Sequence, residues 1–405
     1  MRSLSTQLGA SKQAPVRHQR KQRLAIIHNL HDFEQAARRH LPHAIFSYIA
    51  NTAEDGKSQR ANFNAFDDYG FMPRVLVDVS QTSQAATLFG QHFDSPFGIA
   101  PMGLSALFAY RGDLTLARAA GRQGIPMIMS GSSLIPLEEV AGLGKSTWFQ
   151  AYLPAGREGI RALLERVETA GFRHLVITLD TPVATNPENN QRAGFSSPLR
   201  PSLKLVWDGV SHPRWLGGTF FRTLIQHGMP HFENNYATRG APIFSPHVNR
   251  EISDRGHLDW DDMAFIRDHW PSKLILKGVL HPDDALRAAR LGVDGIIVSN
   301  HGGRQLDGAI SPLSVLPEII RAVGTLPVMI DSGFRRGTDV LKALALGARF
   351  VFVGRPFAYA AAFSGQAGVE HAANLLSNEI ARDMALLGIT DLSQLNADNL
   401  CRLCY

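Results

Sequence analysis

From about residue 95 onward the chain alternates short apolar runs with stretches whose apolar positions recur every three or four residues. The runs Phe97–Ala100, Pro126–Met129, Thr147–Gln150, Leu175–Leu179, Leu274–Leu276, Gly295–Val298, Pro327–Ile330 and Phe350–Val353 read as strands. They lack polar alternation, which is the mark of strands covered on both faces. Asp113–Gln123, Gly159–Thr169, Asp283–Leu291 and Thr338–Leu346 carry the helical period between them. Eight strands with interleaved helices predict an α/β fold, a (β/α)8 TIM barrel. A doubly wound sheet is the rival architecture, but no Gly-x-Gly-x-x-Gly follows a first strand.

Two departures from that rhythm define the organisation. His31 to Phe71 is helical in pattern and rich in aromatics, which predicts an N-terminal helical cap before the barrel. After the fourth strand, about 183–258 is a long excursion rich in Pro, Gly, Asn and His, expected to form an insertion over the barrel mouth. Residues 1–31 hold Arg2, Lys12, Arg17, Arg20, Lys21 and Arg23 with no acid before Asp32. They are expected to form a flexible basic arm, leaving 32–405 as a single domain. The arm also resembles an import presequence and has the charge to touch anionic lipid or nucleic acid.

Composition narrows the class. The chain is 44% hydrophobic and 19% charged, with net charge +5, as expected of a soluble globular protein, and no nucleic-acid partner is expected. Its two cysteines, Cys401 and Cys404, lack a second ligand pair, so no metal site is expected; nothing supports a disulfide scaffold, and a reducing, cytoplasmic location fits. The most apolar stretch, Ala343 to Phe363, is interrupted by Arg349 and Arg355, which argues against a membrane span. Gly142-Leu143-Gly144-Lys145-Ser146 imitates the end of a phosphate loop, but Glu139 stands where its first glycine belongs.

The chemistry lies at the strand ends, where barrels of this kind place their sites. The sixth strand runs into Ser299-Asn300-His301-Gly302-Gly303-Arg304-Gln305-Leu306-Asp307-Gly308. Arginine grips a carboxylate, glycine admits a ligand close to the backbone, and histidine takes a proton near neutral pH. The other ends carry Pro101-Met102-Gly103, Ser130, Gln150 with Tyr152, Thr178 with Asp180, and Lys277. Asp331-Ser332-Gly333-Phe334-Arg335 and Gly354-Arg355 follow strands seven and eight, the usual phosphate cradle of the fold. Lys277 supplies a fixed cation to this ring; a lysine merely ion-paired inside the barrel is the alternative.

These residues resemble the FMN-dependent α-hydroxy acid dehydrogenases and oxidases, the group of L-lactate dehydrogenase, glycolate oxidase and mandelate dehydrogenase. The likeness runs from about His31 to Leu400 and rests on Ser299–Asp307, Asp331–Asp339 and Gly354-Arg355-Pro356. It implies FMN as cofactor. Pro101, Met102, Gly103, Ser130, Gln150, Thr178 and Lys277 would hold its ring system. Asp331, Ser332, Gly333, Arg335, Gly354 and Arg355 would hold its ribityl phosphate. His301 matches the catalytic base and Asp180 its carboxylate partner. Tyr48, Tyr152 and Arg304 match substrate-binding positions. In the family a second arginine usually stands seven residues beyond the Asp180 position; here that residue is Pro187, and Arg192 is the candidate to compensate.

The resemblance thus implies oxidation of a 2-hydroxy acid, lactate-like or larger, to the 2-oxo acid, with electrons passed to a quinone or other carrier. Gly103 resembles the dehydrogenases more than the oxidases, many of which carry alanine there. An O2-using oxidase that makes H2O2 is the alternative, and a flavin-binding protein whose turnover is altered or lost through Pro187 is another. A homotetramer is implied, and the arm and insertion are candidate contacts with the inner face of the membrane.

Overall fold

The computed structural model describes residues 22–143, 146–196, 202–245 and 256–403. Eight parallel strands close into a barrel: β1 (Phe97–Ile99), β2 (Met127–Ser130), β3 (Thr147–Ala151), β4 (His174–Thr178), β5 (Lys273–Val279), β6 (Gly295–Val298), β7 (Val328–Ile330) and β8 (Phe350–Val353). Each pairs with the next, and β8 closes on β1 with Val353 level with Ile99. All eight apolar runs are strands, the fifth running three residues further to Val279, and the four helical patterns are helices displaced by at most two residues. The (β/α)8 architecture expected from the pattern is the one observed.

The reason lies in what each strand buries. Trp148, Val176, Ile275, Ile297, Met329 and Phe352 alternate with Phe149, Leu175, Leu276 and Ile296 along their strands. The first set fills the barrel and the second packs outward under the helices, so both faces are apolar. A hairpin missed by the sequence reading, Ala86–Leu88 with Gln91–Phe93, plugs the lower end. Phe89 at its turn places its ring 5.6 Å from Trp148 and 5.7 Å from His174. Burial pushes the His174 pKa down to about 4, so this ring sits neutral among aromatics.

The cap consists of α1 (Leu30–His40), α2 (His43–Ala50) and α3 (Lys57–Asp67). Asn29 caps α1 and Asp32 returns a bond to the Asn29 N–H, a capping box that fixes where the helix starts. Leu30, Phe33 and Ala37 are its buried face. The packed body begins before the expected boundary at residue 31. Ile27 is buried, and Arg23 donates to the Phe363 carbonyl at 3.0 Å while lying over that ring. The remainder of the basic arm, residues 1–21, and Cys404 lie outside the described residues. Tyr69–Phe71 pairs with Leu400–Arg402, so the two ends of the domain are joined.

The described part of the insertion after β4 includes helical stretches, which the Pro- and Gly-rich composition did not suggest. It contains Glu188–Ala193, Leu203–Val210 and a run of turns from Pro213 to His227. Two contacts seat it. Asp208 accepts from the N–H groups of His43 and Ala44 at 2.9 and 3.0 Å, capping α2, and the Trp215 indole donates to the Leu107 carbonyl at 2.7 Å.

Candidate active site

The C-terminal strand tips and the insertion enclose a cavity of about 680 Å³. That is the size of a site for a cofactor with its substrate. Pro101, Met102, Gly103, Tyr48, Tyr152, Lys277, His301 and Arg304 line it, as do Asp331, Ser332, Gly333, Arg335, Gly354 and Arg355. Ser130, Gln150, Thr178 and Asp180 are buried or half-buried at the strand tips and do not line it. Thr178 borders a second cavity of about 270 Å³ between the β4 and β5 tips.

The β6 tip is built by backbone conformation. His301, Gly302 and Gly303 have φ of +57°, +68° and +74°, three left-handed residues in a row. A Cβ at Gly303 would stand 2.6 Å from the backbone nitrogen of Gln59, so only glycine fits there. Asn300 exchanges two amide bonds with Asn62 of α3, at 2.7 and 2.8 Å. Asp307 accepts from the Ser58 N–H at 2.9 Å, in the first turn of the same helix. The motif therefore carries its own anchors, a role for Asp307 that the sequence reading did not assign.

The strained loop brings His301 to Asp180, with Nδ1 3.0 Å from Oδ1. The carboxylate fixes Nδ1 as the protonated nitrogen, leaving Nε2 as the basic atom on a ring that lines the cavity. Burial opposes the Asp180 charge, but His301 and then Lys277 outweigh it and hold the carboxyl below its ordinary range. Its second oxygen is buried with no partner. Gly278, in the β5 bulge, lets this carboxylate pass, since a Cβ there would lie 2.7 Å from the Asp180 Cγ.

Lys277 is both expected things at once: a cavity cation and a buried ion pair. Its Nζ lies 3.1 Å from Asp331 Oδ2 and donates to Ser299 Oγ at 2.8 Å. Burial disfavours its charge, yet Asp331 and Asp180 raise its pKa above the ordinary value, so it is an ammonium. Ser299 Oγ also accepts from the His301 N–H at 3.0 Å, which ties the cation to the histidine loop.

Three guanidiniums share the remaining wall. Arg304 donates to the Ile49 carbonyl at 3.0 Å and lies 5.3 Å from the Tyr48 ring centroid. Arg355 donates to the carbonyls of Ile49, Gly302 and Asn51 at 3.2, 2.9 and 2.8 Å. Arg335 donates to the Phe334 carbonyl at 2.9 Å and sits over the Phe63 ring. None of the three has a carboxylate within salt-bridge distance among the described residues. Burial, with Arg304 adding repulsion, pushes the Arg355 pKa down to about 9, and burial lowers that of Arg335 as well. Such a cluster calls for an anion. Tyr48 is raised to about 12 by burial and so offers a neutral hydroxyl.

Residues 37–402 match the family model described as FMN-dependent dehydrogenase. The chain belongs to this family. It is 38% identical over 382 residues to an L-lactate dehydrogenase of Xanthomonas campestris, covering 93% of the chain and 97% of the relative. It is 37% identical to an (S)-mandelate dehydrogenase of Pseudomonas putida over 375 residues, 92% of the chain and 94% of that protein. A crystal structure of a monotopic membrane protein, (S)-mandelate dehydrogenase, superposes with a TM-score of 0.86 at 37% identity, covering 93% of this chain and all of that one. This FMN-dependent dehydrogenase is thus an oxidoreductase on a TIM barrel.

The residues present fit FMN. Gln150 Nε2 and Thr178 Oγ1 are buried without partners at the β3 and β4 tips, as polar atoms awaiting a ligand would be. The arginine cluster beside Ser332, Gly333 and Gly354 has the charge and bare backbone a phosphate requires. Arg192 does not enter the cavity: it is 70% exposed and paired with Glu188 four residues before it. Sequence reasoning missed Phe195 and Phe232, aromatic members of the wall, because the insertion shows no strand or motif to place them.

Proposed function

We propose that this dehydrogenase oxidises 2-hydroxy acids to 2-oxo acids. Arg304 binds the carboxylate, the Tyr48 and Tyr152 hydroxyls orient it, and His301 Nε2 receives a proton. Asp180 holds the histidine tautomer and stabilises the imidazolium. The Cα–H and O–H bonds break and a C=O bond forms; bound FMN supplies the acceptor for the two electrons and the second proton. Pro101 to Gly103, Ser130, Gln150, Thr178 and Lys277 would hold its ring, with the Lys277 charge opposing build-up of negative charge there. Asp331, Ser332, Gly333, Arg335, Gly354 and Arg355 would hold the ribityl phosphate. Similarity to proteins named for lactate and mandelate supports the substrate class.

The observation that carries this reading is His301, paired with Asp180, opening on the same cavity as Arg304. The test is optical. The purified protein should be yellow, and 2-hydroxy acids added without oxygen should bleach it; a panel from glycolate to mandelate that leaves the colour unchanged refutes the assignment.

The outer surface of the insertion supports a membrane-borne electron acceptor. Leu203, Val206, Trp207 and Val210 are exposed on one helix, and Phe221, Ile225 and Met229 are exposed nearby in sequence. Lys204, Arg214 and Arg222 lie among them. Apolar side chains interspersed with basic ones suit an interfacial contact with anionic lipid. Among the described residues no helix is long and apolar enough to cross a membrane. We assign the protein to the cytoplasmic side, peripheral at the inner membrane face, with a quinone or other membrane carrier as acceptor and a homotetramer as its assembly. Faster stopped-flow reoxidation by O2 than by a soluble quinone would instead favour the oxidase.

A further inference from the structure

The described residues of the insertion give the cavity a wall without charge. Val183, Ala184, Pro187, Asn190, Gln191 and Phe195 line it, and no insertion residue lining the cavity is ionic among those described. Pro187, Asn190 and Gln191 fall on one face of the short helix after Pro187, at the three- and four-residue spacing that faces together. The one arginine of that helix, Arg192, projects the other way into solvent and Glu188. Of the cavity guanidiniums, Arg355 has three donors committed to backbone carbonyls, and Arg335 belongs to the β7 tip. Among the described residues Arg304 is therefore the guanidinium with donors left for a carboxylate; Arg355 lies beside it on the same Ile49 carbonyl, and the insertion adds neutral groups.

Arg304 is also only half-buried. If the ligand brings no negative charge, water and the Ile49 carbonyl still satisfy the guanidinium. Discrimination against uncharged ligands is large only where a charge is left buried and unpaired. A carbonyl oxygen of an amide or ester can accept from Arg304, and a neutral side chain such as Gln191 can meet the other half of the group. Val183, Phe195 and Phe232 supply apolar wall for the substituent.

We propose that this site takes uncharged derivatives of 2-hydroxy acids, amides and esters with a large apolar substituent, nearly as well as the free acids. This rests on the hydroxy acid reading above. The bonds broken and formed are the same, because the Cα–H and O–H groups are common to acid, amide and ester.

The test uses the FMN-loaded protein, mandelate and mandelamide, read as anaerobic bleaching. Binding of the unreactive pair phenylacetate and phenylacetamide, read by calorimetry, separates recognition from turnover. The acid and amide should agree within about tenfold in kcat/KM and in Kd. Pro187→Arg should raise the acid-to-amide ratio by about 10- to 100-fold, mainly through KM. Should that variant fail to fold, Gln191→Arg, on the same helix face and exposed, makes the same measurement. A wild-type ratio above about tenfold, or a ratio unmoved by the added arginine, overturns the proposal. Bleaching by the acid but not the amide sinks this inference alone, whereas bleaching by neither sinks the hydroxy acid reading with it.

Discussion

Nδ1 of His301 and Oδ1 of Asp180 stand 3.0 Å apart although 121 residues separate them in the chain. One hangs from the β6 tip and the other from the β4 tip, so barrel closure makes the pair. Asp180→Asn keeps the shape and removes the charge. We expect bound FMN to be retained and the rate of its reduction by substrate to fall by about 10²- to 10⁴-fold. Rapid-mixing kinetics on the loaded variant check this.

The same carboxylate makes stability depend on acid. Its pKa is held below the ordinary 3.8, so its contribution is fully present above that value and is lost as the pH falls through the lower, folded-state value. Urea titrations between pH 5 and pH 3 should show wild type losing stability more steeply than Asp180→Asn. Parallel profiles would contradict the pairing (the pH range is about one unit either side of the ordinary value).

Lys277→Met should behave differently, because it strands a charge. Asp331 Oδ2, 3.1 Å from Nζ, would be left buried without its cation. Breaking such a pair costs about 3–5 kcal/mol. We expect a lowered melting temperature and weakened FMN retention together. Lys277→Met with Asp331→Asn should recover part of the stability and not the cofactor, as measured by calorimetry and flavin absorbance.

Gly303 and Gly308 are both left-handed, with φ of +74° and +85°, but their surroundings differ. Nothing lies within 4 Å of a Cβ at Gly308, whereas at Gly303 the Gln59 backbone is 2.6 Å away. Gly308→Ala should cost only the conformational strain, about 1–2 kcal/mol. Gly303→Ala should cost more and disturb His301, visible as loss of both melting temperature and turnover.

Attachment to lipid is tested by Trp207→Glu combined with Ile225→Glu, both on exposed positions of the insertion. The double variant should lose co-sedimentation with anionic vesicles while keeping turnover with a soluble dye. Undiminished sedimentation would remove the insertion from the membrane contact.

The barrel was legible because each strand is apolar on both faces, a signal that needs no partner to read. The His301–Arg304 run and the Arg335 and Arg355 tips were legible because glycine and arginine make little sense at a strand end unless a ligand is met. What stayed hidden depended on distant pairing. The plug hairpin is three residues a side and carries Thr87, Gln91 and His92, too polar and short for periodicity to catch. The union of Tyr69–Phe71 with Leu400–Arg402 spans nearly the whole domain. Arg192 looked like a substitute by its position in sequence, yet one residue along a helix is enough to turn a side chain from cavity to solvent.

The plug has a kinetic consequence. With Phe89 stoppering the lower opening against Trp148 and His174, traffic reaches the barrel interior from the upper rim. Hydroxy acid, keto product and oxidant then meet in the cavity on that rim, beside the same inserted segment that bears the greasy outer patch. They have to take turns, and initial-rate plots for the two co-substrates should run parallel instead of converging.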